Sequence, residues 1–270
     1  MKTAITLSLL PSSPTMPFVL GPGLDEGFQI AAELGFDAVE IFPPTLESID
    51  SAKITELCKR HSLALSTIGT GGGAVAQGLT LTDADADVRR KAMDYIRGII
   101  EIAGDLGGAA IIGSMQGRAG DRDKSQVRKM LGDAMAELGE FAKKWDQVLL
   151  YEPLNRYETD LVNQIGDAAQ LIKDSSADNT KVLADLFHMN IEEADVVAAI
   201  NENASHIGHV HFVDSNRWPA GCGHSDLDSA FSALKANQFD GYLAVESYPL
   251  PDQLTAARNA AKTFSQLLPN

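Results

Sequence analysis

The chain is poor in cysteine, in basic residues and in aromatics, and it has no long apolar run. Cys58 and Cys222 are its only two cysteines, and neither has CxxC spacing, so a structural zinc knuckle and a disulfide framework are both excluded. A reducing, cytoplasmic compartment fits that usage. Lysine and arginine total 22 against 37 acidic residues, a formal net charge of −15. Such a surface does not neutralise phosphates, which argues against a nucleic-acid partner. No segment reaches the ~18 to 20 consecutive apolar residues of a membrane span. The opening MKTAITLSLLPSSP resembles a signal peptide only superficially. Its apolar run is short, Pro11 and Pro14 interrupt it, and it reads better as a first strand. A dinucleotide-binding sheet would want GxGxxG after that strand, where LLPSSPTMP stands instead.

What the chain does have is regular alternation of short apolar runs with helical spacing. Strands are expected at 4–9, 37–42, 63–69 and 109–113, and four more end near residues 152, 185, 211 and 246. Helices are expected at 24–34, 50–61, 87–104, 124–144, 164–173, 192–200, 227–236 and 251–267, with a glycine-rich loop at 69–73. Eight strands alternating with eight helices in 270 residues, with no linker, predict a single-domain (β/α)₈ TIM barrel over residues 1–270.

The last four strands end on chemistry. Glu152 closes VLLYE, Asp185 closes KVLAD, His211 closes HIGHVH and Glu246 closes YLAVE, at separations of 33, 26 and 35 residues. Each separation suits one strand–helix–strand unit, and strand ends of a barrel converge on one mouth. Taken singly, Glu152 and Glu246 read equally as rim or capping residues, and Asp185 as the cap of the next helix. Taken together they make an oxygen-rich site for one divalent cation. Three carboxylates and one imidazole without thiolate suit Mn²⁺ first, with Mg²⁺, Co²⁺ or Zn²⁺ as alternatives. His209 shares a strand face with His211 and lies one layer deeper. Such an ion would hold vicinal sugar oxygens, and a carboxylate beside it would exchange a carbon-bound proton.

The segments AELGFDAVEIF, YEPLNRYETD, ADLFHMNIEEAD and GHVHFVDSNRWPAG resemble those of the ketose 3-epimerases, the D-tagatose and D-psicose 3-epimerase family of the xylose-isomerase-like barrels. The likeness is strong over 149–246 and weaker before it. It implies that Glu152, Asp185, His211 and Glu246 bind one Mn²⁺-type ion. It also implies that Glu152 and Glu246 act as paired acid and base on opposite faces of C3. Glu158, His188 and Arg217 would hold the substrate around O1 to O3. A small-molecule sugar is the implied partner, and a homodimer or homotetramer the implied assembly. The reaction expected is C3 epimerisation of a ketose through a cis-enediolate. Aldose–ketose isomerisation and a keto-inositol-type dehydration would use the same site. A multi-zinc repair nuclease would need more than six histidines and a less acidic surface, and a non-catalytic sugar binder would need no acid–base pair.

The chain departs from the family where aromatic residues grip the substrate. Leu9–Ser13 and Ser114–Arg118 stand there instead. Arg118 and Arg122 near the glycine-rich third loop would recognise a phosphate or carboxylate, or else lie on the surface. The segment 222–226 would cap the next helix, and His224 within it would face the mouth. Glu40, ending the second strand, would support the site from below or sit on the rim.

Overall fold

The computed structural model describes residues 1–10 and 15–268. Eight parallel strands close in sequence order: β1 Lys2–Ser8, β2 Ala38–Phe42, β3 Ala64–Gly69, β4 Ala109–Ile112, β5 Leu149–Tyr151, β6 Thr180–Asp185, β7 Ile207–His211 and β8 Tyr242–Val245. The ring is sealed by β1 against β8, with Lys2 beside Tyr242 and Ile5 beside Val245. Nearly every strand position is buried. That is why the strands read as continuous apolar runs: one face fills the barrel and the other meets helices.

The helices are α1 Leu24–Glu33, α2 Ser51–His61, α3 Gly71–Gln77, α4 Ala86–Asp105, α5 Lys124–Ala142, α6 Ile165–Asp174, α7 Leu186–Glu192, α8 Val196–Asn203, α9 Leu227–Ala236 and α10 Gln253–Leu267. Aspartates start many of them: Asp50 accepts from Lys53 N at 2.9 Å, Asp123 from Ser125 N at 2.9 Å, and Asp252 from Thr255 N at 2.9 Å.

Two elements differ from the sequence expectation. The third loop is partly helical, because Gly71–Gly73 open α3 rather than remaining loop. Glycine there serves packing: a Cβ on Gly72 would meet the Pro43 carbonyl oxygen, and one on Gly73 would lie 2.8 Å from Met115 Sδ. The helix expected at 192–200 is instead a pair, α7 and α8, separated by residues 193–195. Asp185 caps α7 directly from the strand end, which leaves no loop for periodicity to reveal.

Candidate active site

Asp185 and His211 are the last residues of β6 and β7, while Glu152 and Glu246 immediately follow β5 and β8. All four are buried. His211 stands at the centre. Its Nδ1 lies 3.3 Å from Asp185 Oδ2, 3.4 Å from Glu152 Oε1 and 3.6 Å from Glu246 Oε2. One donor atom from each of the four falls within 4.8 Å of the others.

Asp185 fulfils both of its sequence readings at once. Its Oδ1 caps α7, accepting from Phe187 N at 2.7 Å, and its Oδ2 faces His211. Beneath them, Glu40 is fully buried and bridges two imidazoles: Oε1 lies 3.0 Å from His211 Nε2 and Oε2 lies 2.8 Å from His209 Nε2. The Thr67 hydroxyl also donates to Oε2 at 2.5 Å. With Glu40 accepting at Nε2, His211 turns its Nδ1 to the three carboxylates.

Around this group stand the three residues implied for substrate. Arg217 Nη2 donates to Glu246 Oε2 at 2.6 Å, its Nη1 lies 3.4 Å from Glu158 Oε1, and the Phe187 ring packs 4.9 Å from its guanidinium carbon. Arg217 adopts φ +58, a left-handed conformation disfavoured for a side chain of this size and held here by its loop. His188 presents Nε2 to the site, 3.7 Å from Glu152 Oε1 and 3.8 Å from Asp185 Oδ2. Its other nitrogen accepts from Asn155 N at 3.2 Å, which places the imidazole proton on Nε2.

Burial is the main electrostatic fact. It pushes the Glu152 carboxyl up to about 8, with the charges of Glu246 and Asp185 adding to it and His211 opposing. It also raises Glu246, against the pull of His211 and Arg217. For Asp185 burial acts upward too, but His188, His211 and Arg217 outweigh it and hold the carboxyl below its ordinary range. Burial lowers His188 to about 4, with Arg217 adding to it, so His188 is neutral near pH 7.

This donor set fits a divalent cation. Three buried carboxylates crowd one imidazole, and Glu152 Oε1 has no hydrogen-bond partner among the described residues. Oxygen-rich sets with an imidazole suit Mn²⁺ or Mg²⁺ rather than a thiolate-loving metal.

Other predicted residues fall elsewhere. Arg118 donates to the carbonyls of Glu158 (3.0 Å) and Tyr157, and Arg122 to those of Ala119 (3.1 Å), Thr82 (2.5 Å) and Arg118. Both clasp loops together outside the mouth cavity. His224 is exposed and does not line that cavity, and Asp226 caps α9, accepting from Ser229 N at 3.1 Å. The stretch 11–13 of the first loop lies outside the described residues.

Three positioning residues escaped the sequence reading. Gln116 donates to the Glu152 carbonyl at 3.1 Å and accepts from the Tyr151 hydroxyl at 2.8 Å. Gly113 leaves room for the Glu152 carboxylate, since a Cβ there would lie 2.7 Å from Oε2. Asp214 gathers the loop after β7, accepting from Ser215, Gly221 and Ser225 N–H groups at 2.8–3.0 Å. Asp214 lies inside a motif quoted above, GHVHFVDSNRWPAG, which was its only signal.

Comparison with known proteins decides the lineage. The xylose isomerase-like TIM barrel family model matches residues 28–266. The chain belongs to that family. Among the proteins it resembles are sugar epimerases. The chain is 32% identical over 223 residues to the L-ribulose 3-epimerase of Mesorhizobium japonicum, covering 80% of this chain and 72% of that one. It is 29% identical over 231 residues to the 3-dehydro-D-guloside 4-epimerase of Escherichia coli K12, covering 82% of this chain and 86% of that protein. A solved D-psicose 3-epimerase shares this family's fold over the full length of both chains, with a TM-score of 0.83 at 21% identity.

Proposed function

We propose that this protein is a divalent-metal-dependent epimerase that inverts the carbon beside the keto group of a sugar, C3 of a ketose being the leading case. The observation that carries the reading is the pairing of Glu152 and Glu246 in one buried pocket, on strands three apart in the ring, with His211 and Asp185 between them. Glu152, Asp185, His211 and Glu246 would hold the ion, with Mn²⁺ first and Mg²⁺ or Co²⁺ next. When bound, the ion would supply Lewis-acid polarisation of the substrate's carbonyl.

The chain's own groups do the rest. One of the two glutamates removes the proton from the carbon beside the carbonyl, leaving a cis-enediolate. The other returns a proton from the far side. Two carboxylates are what inversion requires, because a single base returns the proton to the face it left. His188 is neutral and carries its proton on Nε2, so it donates a hydrogen bond to the developing oxyanion without competing as a base. Arg217 holds Glu246 in place and offers its remaining guanidinium N–H groups to the substrate.

The test is ¹H NMR in D₂O with the Mn²⁺-loaded protein and fructose, psicose, tagatose and ribulose. Deuterium entering at C3 while the C3 epimer accumulates is the expected result. Exchange at C1 with aldose accumulating would turn the assignment to an isomerase, and loss of water would turn it to a dehydratase.

A further inference from the structure

His188 and Glu158 come to the site from different elements, α7 and the loop between β5 and α6. One side chain stands between them. Asn155, only 2% exposed, brings its Nδ2 within 2.8 Å of His188 Nδ1 and 3.0 Å of Glu158 Oε1. A third partner settles which way the amide is turned. Its Oδ1 accepts from Tyr157 N at 3.0 Å, and a backbone N–H can only donate. The two N–H groups of the amide therefore go one to the imidazole and one to the carboxylate. The backbone N–H of Asn155 also points at His188 Nδ1, at 3.2 Å. Two donors aimed at one ring nitrogen leave that nitrogen as the acceptor.

From Glu158 the contacts run on to the acid–base pair. Glu158 Oε1 lies 3.4 Å from Arg217 Nη1, and Arg217 Nη2 donates to Glu246 Oε2 at 2.6 Å. The loop itself is anchored by other means. Arg156 places its backbone N, Nε and Nη2 on the Glu192 carboxylate at the end of α7, at 2.6–2.9 Å. The turn uses the Asn155 carbonyl, which accepts from Glu158 N at 2.9 Å and Thr159 N at 3.1 Å and which any residue would supply. An aspartate at 155 would keep the bond from Tyr157 N and the same shape. It would reverse only the contacts to His188 and Glu158.

Resting on the epimerase reading above, we propose that Asn155 is a positioning residue for proton transfer: its side-chain amide fixes His188 in the tautomer whose Nε2–H faces the developing oxyanion, and holds Glu158 beside it. An imidazole released from that amide would turn a lone pair toward the oxyanion part of the time, opposing the charge it should stabilise.

The experiment compares wild type, Asn155→Asp and Asn155→Ala. ¹⁵N NMR of histidine-labelled, Mg²⁺-loaded protein reads the ring nitrogens of His188, and deuterium exchange by the Mn²⁺-loaded protein on fructose, psicose, tagatose and ribulose reads turnover. Wild type should carry its His188 proton on Nε2. In Asn155→Asp an acceptor replaces the donor, so the proton should move to Nδ1 and kcat should fall by about 10²- to 10³-fold with little change in KM. Asn155→Ala leaves the backbone donor in place and should lose less than Asn155→Asp. A packing role predicts the reverse order, since aspartate fills the same space and alanine leaves a void. If Asn155→Asp does not fold, a cycle of Asn155→Ala with His188→Gln decides: the amide should matter less once the imidazole is gone, and additive losses overturn the proposal. A proton kept on Nε2 in Asn155→Asp, a greater loss in Asn155→Ala, or a loss confined to KM also overturns it and leaves the epimerase reading standing. Wild-type protein that exchanges deuterium into none of the four ketoses removes both.

Discussion

Glu246 concentrates several roles in one carboxylate: it faces His211 Nδ1, receives Arg217 and lines the cavity. Glu246→Gln keeps the volume and one acceptor for Arg217 but removes the charge and the proton-transfer group. The variant is expected to remain folded by circular dichroism and to lose about 10²- to 10⁴-fold in deuterium exchange. Near-normal exchange would remove it from the chemistry. Glu40 sits one layer down and is not among the residues that line the cavity. Its expected signature is therefore cation affinity. Glu40→Leu should weaken Mn²⁺ binding, measured by calorimetric titration, by about 10- to 100-fold, because His211 loses the acceptor that orients it. Glu40→Gln should lose less, since its carbonyl still accepts from one imidazole while its amide donates to the other.

Single side chains are placed by the elements that carry them. Arg217 adopts its left-handed backbone within the loop between β7 and α9, and Asp214 ties that loop together with three backbone N–H bonds. Burial raises the Asp214 carboxyl, but the N–H bonds outweigh it and hold the carboxyl below its usual range. The sign of the pH effect follows. A carboxyl depressed in the folded state stabilises above its unfolded value, about 3.9, and that contribution is lost as pH falls through the folded value. Asp214→Asn should cost about 1–3 kcal/mol in urea denaturation at pH 7. The gap between wild type and variant should narrow as pH falls below about 4. A gap independent of pH would show that the charge is immaterial. Just after β4, Gly113→Ala places a methyl against the Glu152 carboxylate. A displacement of that kind at a reacting group is expected to cost on the order of 10²-fold in turnover with little change in Tm.

On the scale of the whole barrel, four strand ends force three carboxylates to share one buried space with a single imidazole. Folding without a counter-ion therefore carries an electrostatic cost that a bound cation relieves. Stripping with EDTA is expected to lower Tm, and Mn²⁺ at 100 times its Kd should restore about 2.7 kcal/mol. A Tm indifferent to both would mean that the four side chains hold no ion. Among the described residues, no helix is long and apolar enough to cross a membrane, in line with the composition.

How much of this was legible in the chain follows from the range of each interaction. Alternation of apolar runs with helical spacing is local, so the eight strands and the barrel class could be read from periodicity alone. So could the ring of Glu152, Asp185, His211 and Glu246, because strand ends in a parallel barrel converge whatever the loops do. The pairing of α7 with α8 could not, since Asp185 starts a helix directly from a strand and hides the boundary. The partners of Arg118 and Arg122 could not be read either. A guanidinium on a polar loop looks alike whether it faces a ligand or a neighbour's carbonyl some 40 residues away, as Arg118 and Arg122 do here. The sequence by itself determined which chemistry stands at the ends of the last four strands, because register and residue type are local. Only the tertiary structure decided that Glu40 lies beneath His211, and that Gln116 and Gly113 frame Glu152. Those are contacts between strands and loops distant in the chain, and closure of the barrel brings them together.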